Sequence, residues 1–360
     1  MNIKLPPIIH IVRRFGRVGG MESYVWNLVH ELIKQDLHVE VICEETFGEF
    51  DSKIVIHKIS RSHPRPRWKS MRRFRRLVTQ YVSDNFKGRY VLIHSHERSN
   101  CHHVTTFHGP PINSPKTFLR RLLTSRRVSA WEQMEKDELL YASATQILAV
   151  STIVKNQLLD LYPELSSKQI NIAHPGIDPQ PIGRREYNQN PEMPKKFVFV
   201  GKEWKRKGLD LAIEILEGLQ KQWTLDVFGP SREDLPLRFV AHPLINIEGW
   251  RQTIPWEEYE VLIHPARQEP FGMVVAEARY HGVKVLTSSV VGSVELGFRD
   301  LAVLDLKSPI REWVKALERL TADGDKRVSD CLWTWSDLAS LHKSRFYPIA
   351  SRDLMKVSER

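Results

Sequence analysis

Two glutamates eight residues apart, Glu269 and Glu277, bracket the stretch QEPFGMVVAEA and raise the first chemical question of this sequence. Glu269 precedes a Pro-Phe-Gly turn, and Glu277 lies inside an apolar run where an ordinary surface acid is out of place. A strand-like VLIHPA comes before the turn, and a helix-period segment, MVVAEARYHG, follows it as far as Gly282. A helix that starts near Gly272 aims the amides of Gly272, Met273 and Val274 at whatever sits before its first turn, and such amides take phosphate oxygens. Glu277 then falls about one and a half turns further on, placed to accept two hydroxyl donors of a ribose. Glu269 reaches the opposite side of the same place, where a sugar would lie.

Two other glycine-bearing turns follow strands. In RFGRVGGMESYV, Gly19 and Gly20 end a loop and a helix begins near Met21. Glycines there let backbone N–H groups approach an anion, although a tight turn needs nothing more. In FVGKEWKRKGLDLAI a strand ends at Gly201, Lys202, Lys205, Arg206 and Lys207 follow, and Gly208 opens the next helix. Cations before a helix start oppose its dipole unless an anion neutralises them. Arg206 as a fork and Lys207 as a point charge suit a diphosphate; a solvated basic loop is the plainer alternative.

These turns need a scaffold, and the pattern supplies one. Strand-like runs stand at 8–12, 39–43, 54–59, 90–96, 146–151 and 171–176, then at 196–201, 225–229, 246–250, 261–266, 283–288 and 301–306. Amphipathic stretches such as ESYVWNLVHELIKQ and GLDLAIEILEGLQ lie between them. Apolar strands alternating with helices imply parallel sheets covered on both faces. The expected fold class is therefore α/β, with two doubly wound, Rossmann-like domains. The polar, proline-rich segment Gly176–Pro194 marks the boundary: 1–175 form the first domain, completed by 335–360, and 176–334 form the second. Ligands in such folds bind beyond the carboxyl ends of the strands, so the cleft between two facing domains is the expected site.

The chain has 360 residues, 41% of them hydrophobic, enough for two cores. No apolar run approaches the ~20 residues that span a bilayer. Three well-separated cysteines, Cys43, Cys101 and Cys331, suggest neither a disulfide framework nor a zinc site. A cytoplasmic protein is the expectation. The net charge of +10 is local: residues 61–76 carry eight Lys/Arg and 116–127 carry five, neither with an acid. Such patches meet anionic surfaces. They lack the interleaved aromatics and modules of nucleic-acid binders, so no nucleic-acid partner is expected.

Beyond these separate readings, the ordered set of motifs resembles the retaining glycosyltransferases of family 4, which have the two-Rossmann-domain GT-B fold. Glu269 and Glu277 match their E-x7-E spacing, and Gly-Gly-Met-Glu at 19–22 their N-terminal donor loop. TTFHG at 105–109 is similar to the segment carrying an active-site histidine, here His108. ILAVS at 147–151, HPGID at 174–178 and FVGKEWKRKG also match, the last putting Arg206 and Lys207 at the diphosphate. SSVVGSVELG, with Gly292 and Glu295, resembles the loop after the E-x7-E helix. LWTWSDLASLHKSRFYPI resembles the C-terminal helix that crosses back onto the first domain. The bacterial lipopolysaccharide-core transferases are the branch most resembled, although Val283-Lys284 replaces the usual Leu-Pro.

The resemblance implies transfer of a hexose or N-acetylhexosamine from a nucleotide-sugar, with UDP-hexose the expected co-substrate and no other cofactor. It implies that Glu269 orients sugar hydroxyls and that His108 contacts the donor sugar or acts through its carbonyl. The leaving phosphate would take the acceptor's proton. The implied acceptor is a glycolipid of lipopolysaccharide-core type, reached from the inner face of the cytoplasmic membrane. Trp68, Met71 and Phe74 beside Arg72 and Arg73, and Phe118 beside Arg120 and Arg121, are the expected membrane contacts; core packing with solvated arginines is the alternative. No metal is expected. Asp323-Gly-Asp325 reads as a plain turn, and the fifteen histidines, His102 and His103 included, as satisfied or solvated side chains.

Overall fold

The computed structural model describes residues 5–62, 65–112, 118–141, 146–167, 170–178, 194–219, 222–322 and 333–358, the side chains of 118–125, 141, 166–167 and 356–358 apart. The chain divides into two compact units, Met1–Gly176 with Trp333–Arg360, and Ile177–Leu332. Most of the expected boundary segment, the Asp323-Gly-Asp325 turn and Cys331 lie outside the described residues.

Among the described residues, the main sheet of the first unit has seven parallel strands: β1 (Ile8–Ile11), β2 (Val39–Cys43), β3 (Val55–Lys58), β4 (Leu92–Ser95), β5 (Val104–Phe107), β6 (Gln146–Ala149) and β7 (Ile170–Ile172). Their order in the sheet is 3-2-1-4-5-6-7. The topology therefore reverses between β1 and β4, where His10 pairs in register with His94. Every residue of β1, β2 and β4 is buried, as a sheet covered on both faces requires. Strand β5 was absent from the periodicity reading, because its VTTF run is short and bounded by histidines and a glycine.

The helix Arg67–Phe86 covers one face, and its Met71, Phe74 and Val78 join Ile9, Ile11, Ile42 and Ile93 in one cluster. The expectation that Met71 and Phe74 face a membrane is therefore corrected. An apolar stripe at helical spacing is buried against the sheet because parallel strands need cover. Arg72 and Arg73 stay exposed beside a half-buried Trp68. Phe118, Arg120 and Arg121 lie on the helix Phe118–Lys136, but their side chains are outside the described set. Among the described residues no helix is long and apolar enough to cross a membrane.

The C-terminal segment returns to this unit. Thr334 caps the helix Trp335–Leu341 reciprocally with Asp337, a signature readable from the sequence. Trp333 Nε1 donates to the His174 carbonyl at 3.1 Å. A Cβ on Gly176 would meet the Trp335 nitrogen at 2.3 Å, so a glycine is needed for that close approach.

The second unit has six parallel strands: β8 (Lys195–Val200), β9 (Trp223–Phe228), β10 (Ile245–Gly249), β11 (Val261–His264), β12 (Lys284–Ser288) and β13 (Leu301–Leu304). Their order is 10-9-8-11-12-13, with reversal between β8 and β11. Its core gathers Phe197, Phe199, Leu209, Leu216, Leu225, Ile263 and Trp313. The two loops at this reversal are Gly201–Gly208 and Pro265–Gly272, where doubly wound sheets place ligands.

Candidate active site

The loop after β8 contains a four-residue helix, Trp204–Lys207, closed by Gly208 at φ 81°. Lys205, Arg206 and Lys207 therefore stand at a helix C-terminus, where cations are favoured. They still stand just before the start of the next helix, as expected; the intervening turn was not legible because four residues carry no period. The following helix, Leu209–Glu217, starts at Gly208. A Cβ there would lie 2.2 Å from the Pro265 carbonyl oxygen, so the two loops touch backbone to backbone.

The cations are also already partnered. Lys207 Nζ donates to Glu269 Oε2. Arg206 donates to the Gln268 carbonyl at 2.6 Å and lies 3.5 Å from Glu269 Oε2, while Glu203 takes its remaining N–H groups. Burial alone would raise the Glu269 pKa. The neighbouring His264 and the Lys207 charge outweigh it and hold the carboxyl down at about 2. Its negative charge is thus permanent at neutral pH.

His264 is the residue that sequence reasoning overlooked. It ends β11, is fully buried, and lies 3.7 Å from Glu269 Oε2. Neither ring nitrogen has a hydrogen-bond partner among the described residues, and burial lowers its pKa. The histidine in VLIHPA was the available signal, hidden because the run reads as a strand throughout.

The helix Met273–Tyr280 begins at Gly272, whose φ of 90° requires a glycine. Its first-turn amides, those of Met273 and Val274 included, have no carbonyl within the helix to bond. The Gly292–Leu296 turn braces this start: Gly292 N donates to Glu269 O at 3.1 Å and Ser293 N to Phe271 O at 2.7 Å. Glu277 is half-buried one helical stretch away among buried Val275, Ala276, Ala278 and Arg279. Burial first, then the Asp178 charge, raises its pKa to about 7 despite Lys207. The two carboxyls of the motif consequently sit in opposite electrostatic states, one fixed as an anion and the other poised near neutrality.

In the first unit, the helix Gly20–Lys34 starts after Gly19. A Cβ on Gly20 would meet nothing within 4 Å, so no packing among the described residues explains that glycine. His108 follows β5 directly, half-buried, edge-on to Tyr24 with ring centroids 4.7 Å apart. Its Nε2 lies 3.0 Å from His96 Nδ1. The expectation of scattered, merely satisfied histidines misses this clustering: His10, His94 and His96 each place a ring nitrogen within 4.8 Å of the others. The parallel register, which spacing in the sequence does not reveal, brings them together. His102 instead bonds Ser99 and His103 the Ile93 amide.

An anion-ready turn at the switch point of one Rossmann-like unit, beside an E-x7-E pair, fits nucleotide-sugar chemistry, and comparison with known proteins decides the class. The model of Glycosyltransferase Family 4 matches residues 18–181, and that of Glycosyl transferases group 1 matches 194–323. The chain belongs to the glycosyltransferases. It is therefore a transferase, and its fold is GT-B. An uncharacterised glycosyltransferase of Methanocaldococcus jannaschii is 23% identical over 91% of this chain and 93% of its own. The lipopolysaccharide glucosyltransferase WaaG of Escherichia coli is 28% identical over 49% of this chain and 52% of its own. The crystal structure of a WaaG, a glycosyltransferase involved in lipopolysaccharide biosynthesis, superposes with a TM-score of 0.72 at 18% identity, covering 96% and 98% of the two chains. Anabaena HepE in complex with UDP and glucose superposes at 0.59 with 14% identity, covering 99% and 100%.

Proposed function

We propose that this glycosyltransferase is a retaining enzyme that moves a hexose or N-acetylhexosamine from a UDP-sugar to a glycolipid of lipopolysaccharide-core type. The observation that carries the donor half is the Lys207–Glu269 pair at the β8/β11 switch point, next to the glycine-started helix that bears Glu277. In this reading the Gly272, Met273 and Val274 region supplies amides to the diphosphate, and Glu277 accepts the ribose hydroxyls. Arg206 and Lys207 stabilise charge on the departing phosphate. Glu269, held as an anion, orients hydroxyls of the donor sugar and is not the attacking nucleophile. Gly19 and Gly20 give the donor room at the first unit, and His108 meets the sugar. The leaving phosphate takes the acceptor's proton, and Arg206, Lys207 and the helix amides take the place of a metal at the diphosphate. The bound UDP of HepE and the lipopolysaccharide role of WaaG support the choice of nucleotide and acceptor.

Exposed Arg72, Arg73, Arg126 and Arg127 support attachment to an anionic inner leaflet from the cytoplasmic side. The test of the donor site is thermal stabilisation by UDP, GDP, ADP and CMP, repeated with Glu277→Ala. A ligand at 100 times its Kd adds about 2.7 kcal/mol. Stabilisation by UDP that the variant loses supports the assignment. Equal response to all four nucleotides, or none, overturns it.

A further inference from the structure

A line of hydrogen-bonding rings runs through the interior of the first unit and ends on His108. His96 Nδ1 lies 3.0 Å from His108 Nε2, and His96 Nε2 lies 3.0 Å from His10 Nδ1. His10 Nε2 is 3.5 Å from the hydroxyl of Tyr347, which opens the C-terminal helix. That hydroxyl has a shorter contact, 3.0 Å, to His94 Nδ1, and His94 Nε2 is 2.8 Å from Thr106 Oγ1. His10, His94 and Tyr347 are fully buried and His96 nearly so.

Burial keeps all four imidazoles neutral: it pushes His10 and His108 down to about 3, and His94 and His96 well below the ordinary value. A neutral imidazole carries one N–H and one lone pair. Each nitrogen-to-nitrogen contact needs one of each, so the proton at one end of the line dictates every proton along it. Two arrangements satisfy the whole line. In one, Tyr347 donates to His10, the protons sit on Nδ1 throughout, and His108 ends as an Nδ1–H donor. In the other, Tyr347 donates to His94 and accepts from His10 Nε2–H; His96 and His108 then carry Nε2–H, and His108 Nδ1 is a lone pair. Both contacts of Tyr347, 3.0 Å to His94 and 3.5 Å to His10, serve either arrangement, so the line carries a single choice of tautomer from Tyr347 to His108.

We propose that Tyr347, His10 and His96 are positioning residues that hold His108 in a single tautomer, and so fix whether its Nδ1 accepts from or donates to a sugar hydroxyl. The proposal deepens the reading that His108 meets the sugar, and it rests on that reading only for its catalytic consequence. A divalent ion among His10, His94 and His96 is the rival use of the same rings. It would need lone pairs from nitrogens that already share protons with one another, with Tyr347 or with Thr106.

The test is the tautomeric state of each histidine, read by long-range 15N–1H correlation on the full chain without substrate. The expected result is one sense at His10, His96 and His108 together, all Nε2–H or all Nδ1–H, and inversion or loss of that sense at His108 in Tyr347→Phe, where His10 Nε2 loses its partner. Mixed senses along the line in the unsubstituted protein overturn the proposal without any variant having to fold. So does one equivalent of transition metal bound to the purified protein and lost with His10→Gln. With His108 inverted, kcat falls by about tenfold or more at little-changed donor KM. Inversion with unchanged kcat leaves the positioning line standing and removes His108 from the reaction.

Discussion

The ammonium of Lys207 sits on the carboxylate of Glu269, tying the loop after β8 to the loop after β11 at the point where the second sheet reverses. Both side chains are largely buried, with 15% and 10% of their surface exposed. A pair so placed holds the glutamate charged and aimed.

Breaking that pair from one side leaves a buried, unmatched carboxylate. Lys207→Met is expected to cost about 3 kcal/mol in urea unfolding. Adding Glu269→Gln should recover most of that loss while leaving transfer activity abolished. A double variant no more stable than the single one removes the pair from the energetics of the fold.

The two motif carboxyls predict pH effects of opposite sign. Glu269 has its folded pKa depressed to about 2 from 4.5, so its contribution is present above pH 4.5 and is lost as pH falls toward 2. That contribution is on the order of 3 kcal/mol. Glu277 has its folded pKa raised to about 7. The neutral form favours folding below pH 4.5, and that favour is lost as pH rises through 7. Glu277→Gln should therefore gain stability relative to the parent between pH 5 and pH 8. Parallel unfolding curves at those two pH values would sink this account.

Gly208 and Gly20 separate a glycine that the fold needs from one with open space at its Cβ position among the described residues. Gly208→Ala meets a backbone carbonyl in a left-handed conformation and is expected to cost more than about 2 kcal/mol. Gly20→Ala meets nothing and sits at a helix start, so stability should hold or rise by up to about 1 kcal/mol. Its signature is weaker donor binding in calorimetry. Unchanged donor affinity would place the donor elsewhere.

The basic helix 67–86 separates core from surface in the same way. Phe74→Ala removes a fully buried ring and should cost about 3–5 kcal/mol. Arg72→Glu with Arg73→Glu should leave melting unchanged within about 0.5 kcal/mol. It should reduce flotation with anionic vesicles, more so at low salt. Flotation equal to the parent's would exclude this helix from membrane attachment.

The alternation of apolar strands with amphipathic helices was enough to read two doubly wound units, because strands buried on both faces must be apolar throughout. Local spacing likewise showed the Gly272 helix start with Glu269 and Glu277, since these depend on residues a few positions apart. Burial of Met71 and Phe74 was not legible, because an amphipathic stripe looks alike whether it faces a sheet or a lipid. The pairing of Lys207 with Glu269 and the approach of His264 join positions some sixty or five residues apart across two loops. Only the parallel order 10-9-8-11-12-13 makes those loops neighbours. The line from Tyr347 through His10 and His96 to His108 is the extreme case, spanning most of the chain. Sequence supplied its rings; the register of β1 with β4 and the return of the C-terminal helix decided that they touch.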